Sequence, residues 1–245
     1  MERLILIVFA LTVVAMAVQA PVAAQNPVVV ELFTSEGCSS CPPADAVLLQ
    51  LSQQPVPGTE LILMGEHVDY WNYIGWTDRF SSKQFSERQS QYAAALGSQV
   101  YTPQMVIDGQ NPFVGNDAAE VRSRIASAAK QVKPSQVTLA WAAKDRLRVS
   151  IKSSRPLKAD VLLAITEDDL VTHVANGENG GKTLHHASVV RQLRPIGELA
   201  DGNFEKTVDV AQQNGWNATK LKVAVLIQDP KSQRILGAGT LPYPQ

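Results

Sequence analysis

The chain has 245 residues, 45% apolar and 18% charged, and its 22 basic and 23 acidic residues nearly cancel. That length and apolar share are enough for more than one packed unit, so two domains are expected. No long run of one charge sign occurs, which excludes a surface that grips a phosphate backbone by electrostatics, and nucleic acid is not an expected partner.

Met1-Glu2-Arg3 is followed by an apolar run from Leu4 to Val18, interrupted only by Thr12, and by small residues that include Val22-Ala23-Ala24. This is the pattern of a secretory signal peptide, residues 1–24, cut after Ala24. A retained membrane anchor is the competing reading, but the run falls short of the about 20 residues a spanning helix needs. Export without an anchor places the mature chain in a bacterial periplasm or outside the cell. Both of its cysteines then meet an oxidising compartment.

From Pro27 to Phe33 the sequence is apolar and β-branched, and it runs into the turn-rich Thr34-Ser35-Glu36-Gly37 before Cys38. The pattern predicts a buried strand and a loop. Pro42 and Pro43 suit the first turn of a helix whose inner face carries Ala44, Val47, Leu48 and Leu51, and which ends before Pro55. Glu60 to Gly65 gives a second strand, followed by the aromatic loop from His67 to Trp76. A polar helix is predicted from about Asp78 to Leu96, with Phe85, Tyr92 and Leu96 facing a core. After Tyr101-Thr102-Pro103 come a strand over Gln104 to Ile107, the turn signal Asp108-Gly109, a short strand, and a helix capped by Asn116 that buries Val121 and Ile125. Strands alternating with helices argue an α/β sheet for residues 27–133.

Beyond Lys133-Pro134 the helical period disappears. Short alternating runs follow at 137–141, 147–151, 159–166, 188–193, 204–210 and 221–228. They predict an antiparallel β-sandwich-like domain over residues 134–245.

Cys38-Ser39-Ser40-Cys41-Pro42 lies between the first strand and the first helix, and these are the chain's 2 cysteines. Cysteines three apart at a helix start can bridge or open with little backbone movement. Unpaired amides and the positive dipole end favour a thiolate on Cys38, the expected nucleophile, while Cys41 is expected to resolve the mixed disulfide. A purely structural disulfide is the alternative. Zinc is disfavoured because no second thiol pair exists. A Cys-His hydrolase is disfavoured because Cys41 would trap its nucleophile as a disulfide.

The strand, loop, Cys-x-x-Cys-Pro helix and the later Thr102-Pro103 resemble the thioredoxin superfamily. Residues 31–43 (Glu31-Leu32-Phe33 through Pro43), Val68-Asp69-Tyr70-Trp71, Gly75-Trp76, Tyr101-Thr102-Pro103-Gln104 and Gly177-Glu178-Asn179 are more closely similar to a secreted bacterial family, domain of unknown function twelve-twenty-three. The resemblance implies a thioredoxin-like domain with a helical insertion and a sheet of four or five strands. It also implies Cys38 as attacking thiol and a cis peptide before Pro103 facing the sulfurs, so that Thr102 and Pro103 pair with an incoming chain. An ordinary trans proline is the alternative at Pro103. The superfamily's buried strand acid corresponds most nearly to Glu31. That residue stands seven positions before Cys38 instead of six, and it points to the wrong face unless the Glu36-Gly37 loop absorbs the extra residue. Glu36, two residues before Cys38, opposes a thiolate there if it faces inward.

Around this centre, His67, Asp69, Trp71 and Trp76 are candidates for a substrate groove or a proton relay, with packing beneath the inserted helix as the alternative. His185 and His186, near Glu178, invite a thiol and imidazole copper site, with solvated histidines as the alternative; His173 offers less. The expected function is thiol-disulfide exchange with protein thiols or disulfides, without a cofactor. Its rivals are a non-catalytic binding module held by a structural disulfide and a copper carrier.

Overall fold

In this computed structural model, residues 26–245 are described, and the signal peptide expected over residues 1–24 lies outside the described residues. The apolar run Pro27–Thr34 (β1) is buried from Val28 onward on both of its faces. Beside it lies Glu60–His67 (β2), parallel and in register so that Val30 faces Leu63 and Thr34 faces His67. Strands buried on both sides read as continuous apolar runs, because no face is left for polar side chains. Pro42–Gln53 (α1) connects the two. Gln104–Ile107 (β3) pairs antiparallel with β1 on its other side and Gln110–Phe113 (β4) with β3. Lys83–Leu96 (α2) and Ala118–Ala128 (α3) complete the first half.

Both later helices begin at other residues than the sequence suggests. Ser82 caps α2, accepting the Gln84 N–H at 3.2 Å, and Asp78 remains in the preceding loop, where its carboxylate is used elsewhere. Asp117 caps α3 in place of Asn116, accepting the N–H groups of Ala119 and Glu120 at 2.8 and 3.1 Å. Either residue type caps well; the first apolar turn sets which one does.

The second half contributes Ser135–Ala143 (β5), Arg146–Ser153 (β6), Ala159–Glu167 (β7), Leu170–His173 (β8), Thr183–His186 (β9), Val189–Leu199 (β10), Asn203–Asp209 (β11), Leu221–Gln228 (β12) and Ile235–Pro242 (β13). Strands β8, β9 and β13 were not foreseen. In β13 the glycines Gly237 and Gly239 break the β-forming pattern, and they stand where β5 crosses: a Cβ on Gly237 would collide with the Ser135 backbone.

One mixed sheet of 8 strands runs β13-β12-β7-β10-β2-β1-β3-β4. Its two halves join where β10 meets β2, at Val189 opposite Gly65 and through the Gly65 N–H bonded to the Ser188 carbonyl at 2.8 Å. The boundary expected near residue 134 therefore does not separate two cores. Val29, Ile62 and Met64 share one apolar cluster with Ala164, Val190 and Leu226, and Phe85 of α2 packs into it. On the opposite face, α1 and α3 cover β1 through Val47, Leu48, Leu51, Val121 and Ile125. There a 3-stranded sheet, β11-β6-β5, covers β7 and β12 through Leu147, Val149 and Ile151. The result is a mixed α/β fold with a large sheet and few helices.

A buried ion pair fastens α2 to this sheet. Arg88 donates to Glu31 Oε2 at 2.7 Å, Gln228 Oε1 at 2.9 Å and Tyr92 Oη at 3.1 Å, while the Tyr92 hydroxyl donates to Glu31 Oε1 at 2.6 Å. Glu66 lies beside the same guanidinium at 3.4 Å. Burial, against the attraction of Arg88 and together with the neighbouring Glu31, pushes the Glu66 carboxyl well above the usual range. Removing one partner of a buried pair strands the other charge at a cost of about 3–5 kcal/mol. Arg88→Met is therefore expected to lower the urea midpoint by that amount of stability with the denaturant slope unchanged; a loss below about 1 kcal/mol would show the network to be dispensable.

Candidate functional site

Strand β1 ends at Thr34, and the chain turns twice before α1. The Cys38 N–H bonds the Ser35 carbonyl and the Cys41 N–H bonds the Cys38 carbonyl, both at 3.2 Å. Cys38 and Cys41 form a disulfide with a Cα–Cα separation of 5.5 Å. Cys41 is the residue before the first helical position, and Pro42 and Pro43 fill the first two. The prolines carry no N–H, and the amides of Ala44 and Asp45 both donate to the Cys41 carbonyl at 2.9 and 3.1 Å. The first turn of α1 thus offers the sulfurs no unpaired amide. Of the stabilisation expected for a Cys38 thiolate, only the general dipole of α1 remains.

The surrounding segments close over this turn. Both cysteines are 0% exposed, whereas Ser39 and Ser40 between them are exposed. Gly37 lies against the aromatic loop, where a Cβ would come within 3.2 Å of Trp71 Cβ and 3.5 Å of Ile74 Cδ1. The Trp71 indole N–H donates to Thr102 Oγ1 at 2.8 Å, and that of Trp76 donates to Glu36 Oε2 at 2.8 Å. The Thr102–Pro103 peptide is cis. The Ser40 hydroxyl sits 3.3 Å from Cys38 Sγ and 3.4 Å from the Thr102 carbonyl. From between β8 and β9, Glu178 accepts the Ser39 N–H at 3.0 Å, and Asn179 Nδ2 donates to the carbonyls of Glu36 and Cys38 at 2.9 Å each. Trp71, Trp76 and Thr102 thus touch the segment that carries the cysteines, at Gly37, Glu36 and Ser40, with Pro103 next in the chain, but both indole N–H groups already serve the loop framework.

Behind the motif lies a buried group of imidazoles and carboxylates. His67 Nδ1 and Asp78 Oδ2 are 2.6 Å apart, and the same Asp78 oxygen accepts the Glu36 N–H at 2.9 Å. His186 Nε2 is 3.3 Å from Glu36 Oε1 without hydrogen-bond alignment. The rings of His67 and His186 stand edge to face at 4.9 Å, each also against Phe80. Asp45 of α1 completes the group. Its burial raises its carboxyl above the usual range, against the pull of His186 and His67. For His67, burial pulls downward, but Asp78, Asp45 and Glu36 outweigh it and leave the imidazole above its usual value. Asp78 is pushed up by burial and down by His67 and the backbone N–H groups of Glu36 and Phe80, with a net lowering.

The two proposed relay acids lie elsewhere. Glu31 faces α2 and is held by Arg88 and Tyr92, on the side of the sheet away from α1. The extra residue in the Glu36-Gly37 loop is not absorbed in a way that turns it toward the cysteines. Asp69 accepts from the Ser86 hydroxyl of α2 at 2.5 Å. His186 is buried, contrary to the solvated alternative, while His185 and His173 are exposed. Among the described residues no cluster of three His, Cys, Asp or Glu has metal-site spacing. Sequence reasoning missed Asp45, Asp78 and Asn179. Asp45 had a usable signal, since it follows Cys41 by one helical turn. Asn179 was present only as part of a motif block, with nothing to say what it touches.

The His67–Asp78 pair makes stability depend on pH in two directions. The lowered Asp78 contributes above its ordinary 3.8 and loses that contribution as pH falls through its folded value. The raised His67 contributes below its ordinary 6.5 and loses that contribution as pH rises through its folded value. The stability gap between the natural protein and Asp78→Asn should therefore be widest between about pH 4 and 6.5 and narrow on either side. Urea midpoints taken from pH 3 to 9 check this, and a gap that stays constant would contradict the pairing.

A profile of the family described as Protein of unknown function (DUF1223) matches residues 29–228. Among solved structures, the crystal structure of an Agrobacterium tumefaciens structural-genomics protein is 30% identical, covering 89% of this chain and 95% of that one with a TM-score of 0.74. HBP35 of Porphyromonas gingivalis is 17% identical, covering 89% of this chain and 75% of that one with a TM-score of 0.65, a likeness of fold alone. No curated protein matches the chain. No helix among the described residues is long and apolar enough to cross a membrane.

Proposed function

The chain belongs to the family described as Protein of unknown function (DUF1223), and we propose that it is a periplasmic or secreted thiol-disulfide oxidoreductase. The observation that carries the reading is the position of the Cys38–Cys41 disulfide, at the end of a strand-to-helix turn with the Ser40 hydroxyl between Cys38 Sγ and the Thr102 carbonyl. In this reading residues 27–133 are thioredoxin-like, with α2 as the inserted helix, and the β-rich half is a sandwich-like layer built onto the same sheet. The partners are protein thiols or disulfides, approaching beside Thr102, Pro103, Trp71 and Trp76.

In the reducing direction, the Cys38 thiolate attacks a target disulfide and one target sulfur leaves with the electron pair. Cys41 then loses its proton and attacks Cys38 Sγ, the mixed disulfide breaks, and the second target sulfur leaves as a thiolate. Two electrons pass from the dithiol to the target. The opposite direction runs through the same mixed disulfide. Cys38 must become reachable, so the aromatic loop that packs on Gly37 has to move aside.

A second reading is favoured by one specific observation, the complete burial of both cysteines. In it the disulfide clamps the start of α1, and the protein is a non-catalytic secreted binding module.

Equilibration in graded thiol buffers with alkylation of free thiols separates the two. Exchange proteins poise at roughly −120 to −270 mV, and a value in that window is the expected outcome. A pair still oxidised below about −300 mV would behave as structural disulfides do and would transfer the assignment to the binding module. Cys38→Ser is expected to abolish turnover of a mixed-disulfide substrate and Cys41→Ser to accumulate a covalent complex with it. Full activity in Cys38→Ser would remove the nucleophile assignment.

A further inference from the structure

We propose that Asp45 is the internal proton donor and acceptor for Cys41, backed by the imidazoles of His186 and His67. The inference rests on the thiol-exchange reading and assigns the proton that this chemistry must move.

Three observations carry it. Both sulfurs are 0% exposed, so a proton entering or leaving Cys41 passes through a protein group and not directly to water. Asp45 follows Cys41 by four residues, its N–H bonds the Cys41 carbonyl at 3.1 Å, and it is 8% exposed. Residues four apart share a helix face, and helical side chains lean toward the preceding turn, so the Asp45 side chain leaves α1 on the same face as that of Cys41. Finally, the charges beneath the motif do not balance. Two imidazoles, His67 of β2 and His186 of β9, face three carboxylates, Asp45 of α1, Asp78 of the loop before α2, and Glu36.

Two of those carboxylates are committed. Asp78 holds His67 and the amides of Glu36 and Phe80. Glu36 holds the Trp76 indole and lies 3.3 Å from His186. Asp45 has no ion partner in contact among the described residues, and its neighbours are Thr34 together with the two imidazoles and the like-charged Asp78 at longer range. The carboxyl left without an ion partner is the one whose charged form is least supported, and burial raises it in the direction a proton donor requires. Glu31 is unsuited to the task because it faces α2.

The step is balanced in both directions. When a target thiolate attacks Cys38 Sγ, the Cys38–Cys41 bond breaks and its electron pair goes to Cys41 Sγ, which takes the Asp45 proton. Asp45 is then a carboxylate facing the imidazoles. In reverse, that carboxylate takes the proton of the Cys41 thiol, the thiolate attacks Cys38 Sγ, and the target thiolate leaves.

The test follows reduction of the disulfide by dithiothreitol from pH 5 to 8, with the full mature chain and with Asp45→Asn. The natural protein should show an inflection beyond the ionisation of dithiothreitol itself. Asp45→Asn should lose that inflection and react at least about a hundredfold more slowly near pH 6, in the range usual for loss of a positioned proton donor. Infrared difference spectra on reduction should show loss of a protonated carboxyl band in the natural protein. That band should shift on isotopic labelling of aspartate and be missing in Asp45→Asn. An unchanged pH profile in a folded Asp45→Asn overturns the proposal while leaving thiol exchange intact. If the variant does not fold, the labelled natural protein decides: an absent or unshifted band overturns it. A natural protein whose disulfide resists dithiothreitol at every pH overturns both this inference and the function it rests on.

Discussion

The parallel pairing of β1 with β2 sets the terms for the rest of the molecule, because both strands are buried on both faces and yet carry ionisable side chains. Alternation sends Glu31 and Glu66 toward α2 and His67 toward α1. A charge in that environment needs a partner or must give up its ionisation. The direct partners are Arg88 from α2 and Asp78 from the loop before α2, and each is backed by a further element: Gln228 of β12 bonds Arg88, and His186 of β9 stands edge to face against His67. Two of these belong to the second half of the chain. The polar demands of the first half thus help to explain why the halves share a sheet and a core.

The same constraint shapes the electrostatics of the disulfide. A helix start followed by two prolines fixes the backbone of α1 but removes the amides that would otherwise face a thiolate. Glu36, two residues before Cys38, is turned inward and bound by Trp76, so its charge is spent on the indole and on the neighbourhood of His186. Neither the helix nor the adjacent acid acts on Cys38 as isolated motif logic supposes. The influence that remains is longer-ranged, through the α1 dipole and the imidazole group beneath it.

Periodicity made most elements legible, since β1, α1, β2, β3 and six later strands follow from apolar spacing and turn residues. The failures have local causes. Asp78 looks like a helix start until its carboxylate is claimed by His67. β13 is interrupted by the glycines that let β5 pass. The join between β2 and β10 was invisible, because an apolar strand edge does not name its neighbour. At the site, the cysteines were legible from their spacing, the cis Thr102–Pro103 peptide through the family resemblance, and the tryptophans only as candidates beside a packing role. The imidazole and carboxylate group was not, because His67, His186, Asp45 and Asp78 converge from four separate segments.

In the proposed exchange, access to Cys38 and isolation of the Cys41 proton are opposing requirements that fall on the same covering segments. Exposing the sulfur means breaking contacts, and they differ in cost. Asn179 is 0% exposed and bonds two carbonyls at once, so lifting its turn would strand three buried polar groups. A buried polar group left unpaired costs more than a hydrogen bond is worth when made. Trp71 is anchored to Thr102 by one hydrogen bond at a half-buried position, and Tyr73 beside it is 83% exposed. Movement of the aromatic loop therefore uncovers Cys38 at lower cost than movement of the Asn179 turn. It also leaves in place the Asn179 turn and Asp45 on α1, so that in the proposed exchange a target would reach Cys38 while the proton of Cys41 stays inside the protein.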